Sequence, residues 1–121
     1  MRELTISQQI TFLFTHDLNR TASFYENTLG LELLIDQGSC KIYKVTVEGW
    51  IGFCERMNEQ LYTSNIIFTI VTSEVDEWYE KLKAKGVEFD RSPKINEQYN
   101  IYHCFFRDPN GYLIEIQKFI D

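Results

Sequence analysis

Apolar and polar side chains alternate through Gln9–Thr15 (QITFLFT). Ile10, Phe12 and Phe14 fall on one side and Gln9, Thr11, Leu13 and Thr15 on the other, the period-two signature of a strand. The period then lengthens. Asp17 or Asn19 can accept the free N–H groups of a first helical turn, Leu18, Ala22, Tyr25 and Leu29 follow at helical spacing, and Gly30 suits a left-handed stop. Strands are predicted over 31–36, 41–48 and 50–55, with Gly38-Ser39 and Gly49 at the turns. After a polar, aperiodic stretch the order returns. A strand is predicted over 65–71 with Ile66, Phe68 and Ile70 on one side. Ser73 heads a helix carrying Val75, Trp78, Tyr79 and Leu82 that stops at Gly86. The remainder predicts a strand over 87–90, a loop over 92–100 holding Pro93, and strands over 101–107 and 112–119 joined by the turn Asp108-Pro109-Asn110-Gly111.

Two copies of one unit overlay by position. Gln9 and Asn65, and likewise Gly30 and Gly86, are 56 positions apart, which pairs Ile10, Phe12 and Phe14 with Ile66, Phe68 and Ile70. The last strands match at a spacing of 62, Gly49-Trp50-Ile51 against Gly111-Tyr112-Leu113. Phe24-Tyr25-Glu26 resembles Trp78-Tyr79-Glu80 at a spacing of 54, so either the helices differ in phase or that match is chance. The expected organisation is one domain over 1–121: module one about 8–56, a linker about 57–64 and module two about 65–120. The fold class is α+β, two tandem βαβββ modules forming a curved mixed sheet around a cup, a concave place that suits a small molecule.

Composition narrows the classes. With 44% hydrophobic and 15% aromatic residues the chain can bury a core, which argues against disorder. A net charge of −6 without a basic run argues against nucleic acid. No apolar stretch approaches the length of a membrane span, and 1–9 lacks a signal-type apolar region, so a cytoplasmic protein is expected. Cys40, Cys54 and Cys104 lie in apolar strand contexts without CxxC spacing and are expected to be reduced core thiols.

Three stretches, DLNRTASFYENTLGLEL (Asp17–Leu33), VDEWYEKLKAKGVEF (Val75–Phe89) and FFRDPNGYLIEIQKF (Phe105–Phe119), resemble the vicinal oxygen chelate (VOC) superfamily of glyoxalases, bleomycin- and fosfomycin-resistance proteins and extradiol dioxygenases. The resemblance covers nearly the whole chain and implies the glyoxalase/bleomycin-resistance/dihydroxybiphenyl dioxygenase fold. It also implies metal ligands on the first strand of each module and in the final strands. Those positions here read Gln9, Phe53, Asn65 and Glu115. An ungapped alignment from Asp17 puts Ile10 in place of Gln9. One carboxylate, two amides and a phenyl ring make a weak set for a divalent transition metal. No tight metal or other cofactor is expected, and weak divalent binding stays open.

The cavity is expected to be lined by Gln9, Thr11, Phe53, Asn65, Thr69 and Glu115. Glu115 and His103 are the candidate acid/base residues, His103 because imidazole titrates near neutrality. Glu55 is the candidate for a misplaced metal ligand, His16 reads as a solvated loop residue, and Tyr43, Phe53, Tyr99, Tyr102 and Phe106 offer aromatic surface. The segment Asn96–Asn100 reads as a lid or an ordinary loop. Three functions follow: a metal-free binder that sequesters or senses an aromatic or cationic compound, of the bleomycin-resistance type; a metal-dependent lyase, isomerase, thiol transferase or dioxygenase using Gln9 and Glu115; and a metal-independent enzyme using His103 or Glu115. The expected partners are a small-molecule ligand and a second copy in a homodimer.

Overall fold

The structure, a computed structural model, describes residues 2–120. It contains β1 (Gln9–Thr15), α1 (Leu18–Ser23) running into a π-helical turn (Phe24–Thr28), β2 (Glu32–Asp36), β3 (Cys40–Lys44) and β4 (Gly49–Glu55). There follow β5 (Ile67–Val71), α2 (Val75–Ala84), β6 (Lys94–Asn96), β7 (Ile101–Arg107) and β8 (Leu113–Phe119). The chain divides into two compact units at Leu61 and Tyr62. Each holds one helix and one four-stranded mixed sheet, ordered β1-β4-β3-β2 in the first and β5-β8-β7-β6 in the second. In both, the first and last strands run parallel while the other pairings are antiparallel. This is the expected α+β fold of two βαβββ modules.

In the first module Asp17 caps α1, its Oδ1 accepting from the Arg20 N–H at 3.0 Å. The Glu55 carboxylate accepts from the Leu18 N–H at 3.1 Å, which ties the helix start to β4. Behind the helix lies an aromatic core. Tyr25, Tyr43 and Phe53 are fully buried, with the Tyr25 and Phe53 ring centroids 4.4 Å apart. The Tyr43 hydroxyl donates to Glu26 at 2.8 Å. Burial, reinforced by that carboxylate, pushes the phenol far above its ordinary pKa. Phe53 therefore faces the helix and cannot line a cup. The predicted facing of this module is reversed: Leu13 and Thr15 point inward, Thr15 to Thr21 at 2.8 Å, while Phe12 and Phe14 stand partly exposed on the opposite face.

The π-turn is the physical reason. Leu18 and Tyr25 pack as Val75 and Leu82 do in α2, 57 positions later, and Leu13 corresponds to Ile70 at the same spacing. Gly30 and Gly86, both at positive φ, are 56 apart because the wider turn takes up one extra residue. Aligning on the glycines shifts β1 by one residue, and one residue reverses every side chain of a strand. The tripeptide match at 54 corresponds to neither spacing and is chance.

Other departures are local. Asn65 is exposed in a turn ahead of β5. Segment 87–90 contributes a single bridge, Phe89 to Phe106, and β6 forms inside the predicted loop because Lys94, Ile95 and Asn96 pair with His103, Tyr102 and Ile101. Helix α2 begins after Glu74, whose N–H is held by the Thr72 hydroxyl at 3.1 Å, and Ser73 is not the cap. Cys40 and Cys54 are joined as a disulfide, correcting the expectation of reduced thiols. They are directly opposed on β3 and β4, and Glu55 N–H donates to Ser39 C=O beside them. That marks a narrow, non-hydrogen-bonded pair, the antiparallel position that brings Cβ atoms closest. Cys104 is a buried free thiol.

Candidate functional site

In the second module α2 covers one face of the sheet, where the Tyr102 hydroxyl donates to Asp76 at 2.5 Å. That bond is the main cause that pushes the Tyr102 pKa up to about 12. Strand alternation puts Thr69, His103, Phe105, Glu115 and Gln117 on the other face. The face is organised around Glu115. Its Oε1 accepts from the Thr69 hydroxyl at 3.0 Å and from Gln117 Nε2 at 2.9 Å, and its Oε2 lies 2.6 Å from His103 Nδ1. With the carboxylate accepting from three directions, His103 Nδ1 carries the proton it donates. The ring is thereby fixed, with Nε2 left over. His103, Glu115 and Gln117 are all buried, and Gln117 Oε1 has no hydrogen-bond partner among the described residues.

Beside His103 opens a cavity of about 250 Å³ lined by Asp90, Arg91, Lys94, Asn96, His103 and Phe105. The Phe89–Phe106 bridge and the β6–β7 register deliver these residues: the bridge carries 90–91 past Phe105, and Lys94 sits opposite His103. Asn96 is the only residue of the candidate lid that lines the cavity, and Tyr99 stays exposed. Sequence reasoning named Thr69, His103 and Glu115. It missed Gln117, Arg91 and Lys94, although Gln117 follows Glu115 at the period-two step that keeps it on the same face.

The remaining candidates lie elsewhere. Gln9 donates from Nε2 to Thr11 at 2.6 Å on an exposed strand end. Phe53 is in the helix-side core, Glu55 is occupied at the start of α1, and His16 meets the Glu59 carbonyl at 2.5 Å. Tyr43 and Phe106 are core residues. Comparing the sheets register by register shows what the first module carries in place of the cluster. Where the second has Thr69, Glu115, His103 and Gln117, the first has Phe12, Gly52, Cys40 and Cys54. The Phe12 ring packs over Gly52, 2.5 Å from where a Cβ would stand, and the disulfide takes the place of the histidine–glutamine pair.

The family model of the Glyoxalase/Bleomycin resistance protein/Dioxygenase superfamily matches residues 7–116. The chain belongs to this superfamily. Among its curated relatives, the uncharacterized protein YraH of Bacillus subtilis is 27% identical over 121 residues, covering 89% of this chain and 94% of that one. The metallothiol transferase FosB of Staphylococcus saprophyticus is 27% identical over 107 residues, covering 83% of this chain and 68% of its own. The crystal structure of the fosfomycin resistance protein FosX from Listeria monocytogenes aligns with a TM-score of 0.71 at 28% identity, over 95% of this chain and 94% of that one.

The donors present are a sparse set for the metal that the superfamily implies. The second module offers one imidazole and one carboxylate on its open face, and both carboxylate oxygens are already engaged. Asn65 and Gln9 are exposed amides, and the first module's counterpart of Glu115 is a glycine covered by a phenyl ring. A tetrahedral transition-metal site needs three or four His, Cys, Asp or Glu donors, and the one imidazole and one carboxylate of the second module do not make one.

Proposed function

We propose that the chain is a metal-independent small-molecule-binding protein of the superfamily, with His103 as the polar centre of a site in its second module. The observation that carries this reading is the buried His103–Glu115 pair at 2.6 Å, whose histidine lines a cavity of about 250 Å³. A buried ionisable pair costs desolvation, and a protein gains from it where a ligand uses the exposed side of one partner. The cavity lies just under the roughly 300–1,000 Å³ common for small-molecule sites, which suits a compact ligand. Thermal unfolding against a compound panel, with and without chelator, tests the reading through stabilisation by native-state binding. A rise unaffected by chelator and lost in His103→Gln is expected. A rise that chelator abolishes would overturn it.

One observation favours a second reading, metal-independent acid/base catalysis. Glu115 orients His103 through Nδ1 and leaves Nε2 for proton exchange, the arrangement used by catalytic imidazoles. Turnover in the presence of chelator that falls at least 100-fold in His103→Gln, with binding retained, would establish it. Binding without turnover leaves the first reading standing.

A further inference from the structure

The charge of the cavity mouth and one orphaned acceptor together narrow the ligand. The sequence reads as a binder of an aromatic or cationic compound. The three hydrogen bonds to Glu115 leave that carboxylate without need of a ligand cation. Around the cavity stand two cations, Arg91 and Lys94, against one carboxylate, Asp90. Neither cation forms an ion pair among the described residues. Both are exposed at their heads, where a charged ligand group keeps part of its hydration.

The strand register supplies a ruler. Lys94 is paired with His103 and His103 with Gln117, so the three side chains form one row across β6, β7 and β8 on the same face. Neighbouring strands are about 4.8 Å apart, so the row spans about 10 Å. It runs from a cation, through the imidazole that lines the cavity, to Gln117, which stands behind His103 and outside the cavity lining, its Oε1 buried and lacking a donor. The orientation of that amide is fixed, because reversing it would turn the oxygen toward the Glu115 carboxylate.

We infer that this row binds a small organic anion that also carries a hydroxyl or similar donor: the anionic group at Arg91 and Lys94, the donor toward His103 and Gln117 Oε1. Phe105, edge-on to His103 at 4.9 Å between centroids, offers the apolar contact beside them. The inference rests on the proposed site and adds the class of its ligand.

Four related probes separate the contributions: mandelate (anion and hydroxyl), phenylacetate (anion alone), 1-phenylethane-1,2-diol (hydroxyls without charge) and 2-phenylglycinol (cation and hydroxyl). Each is titrated while the His103 ring resonances are followed by NMR. Mandelate should bind about tenfold more tightly than phenylacetate or the diol, the effect of one good hydrogen bond or one charge contact. In Arg91→Gln/Lys94→Gln, whose altered side chains are exposed, mandelate should fall to the level of the diol. Equal or tighter binding of the diol or 2-phenylglycinol at His103 would overturn the anion inference and leave the site itself standing. Phenylacetate matching mandelate would overturn the assigned role of Gln117. No response of His103 to any probe would overturn the inference and the site reading together.

Discussion

Glu115 is buried with three donors around it, so its loss falls on the groups left behind. Glu115→Ala leaves the His103 ring, the Thr69 hydroxyl and the Gln117 amide without their buried acceptor, and should cost about 3–5 kcal/mol in urea unfolding. Glu115→Gln keeps the shape and one acceptor oxygen and should cost less, about 1–3 kcal/mol. Cys104 lies on the next residue of β7, turned to the helix side. Burial, aided by Asp76 and Glu115, pushes its thiol from the ordinary range up to about 11. A raised thiol pKa contributes stability that is intact below the unfolded value and is lost as pH rises through the folded one. Alkylation by iodoacetamide at pH 8 should therefore reach Cys104 only after unfolding, and native stability should decline between pH 9 and 11. Ready labelling of the folded protein at pH 8 would contradict this.

Within the first sheet the important contact is between a ring and the absence of a side chain. A Cβ at Gly52 would stand 2.5 Å from the Phe12 ring, so Gly52→Ala must lift that ring off β4. The cost should be about 1–3 kcal/mol, as for other overpacked sites, and Phe12→Ala in the same chain should recover most of it. The disulfide acts between β3 and β4 across a separation of 14 residues. For a loop of that size cross-linking is worth about 3 kcal/mol. Thermal unfolding with and without reductant should show a loss of this order, and Cys40→Ser/Cys54→Ser should abolish the difference. These elements also mark the limits of the sequence. The order of strands and helices, the Asp17 cap and the seven residues of β7 are legible, because each is written in local periodicity or cap chemistry. The facing of β1 is not, because it depends on a single residue absorbed in the π-turn that no hydrophobic pattern announces. Strand β6 is likewise hidden: three polar-flanked residues form a strand only because β7 offers an edge.

At the level of the molecule the scaffold is duplicated and the chemistry is not. Both modules repeat strand order, parallel closure and helix packing. The polar cluster of the second is answered in the first by a phenyl ring, a glycine and a disulfide. The first module therefore offers no free carboxylate, imidazole or thiolate at these positions. Protein purified without chelators should accordingly hold less than about 0.1 equivalent of zinc, nickel, iron or manganese by elemental analysis, a donor set this sparse being too weak for tight binding. Near one equivalent would overturn the metal-independent reading. No helix among the described residues is long and apolar enough to cross a membrane.

The wide turn at Phe24–Thr28 makes the chain tolerant of a change in length at that point. One residue added to or removed from a strand swaps its core and solvent faces, and in a regular helix it rotates everything downstream by about 100°. Here one residue is taken up in a broader coil, with Tyr25 in the core upstream and Gly30 at the stop downstream. Deleting the exposed Asn27 should therefore tighten the coil to the regular form and leave a folded protein, read as a retained cooperative unfolding transition.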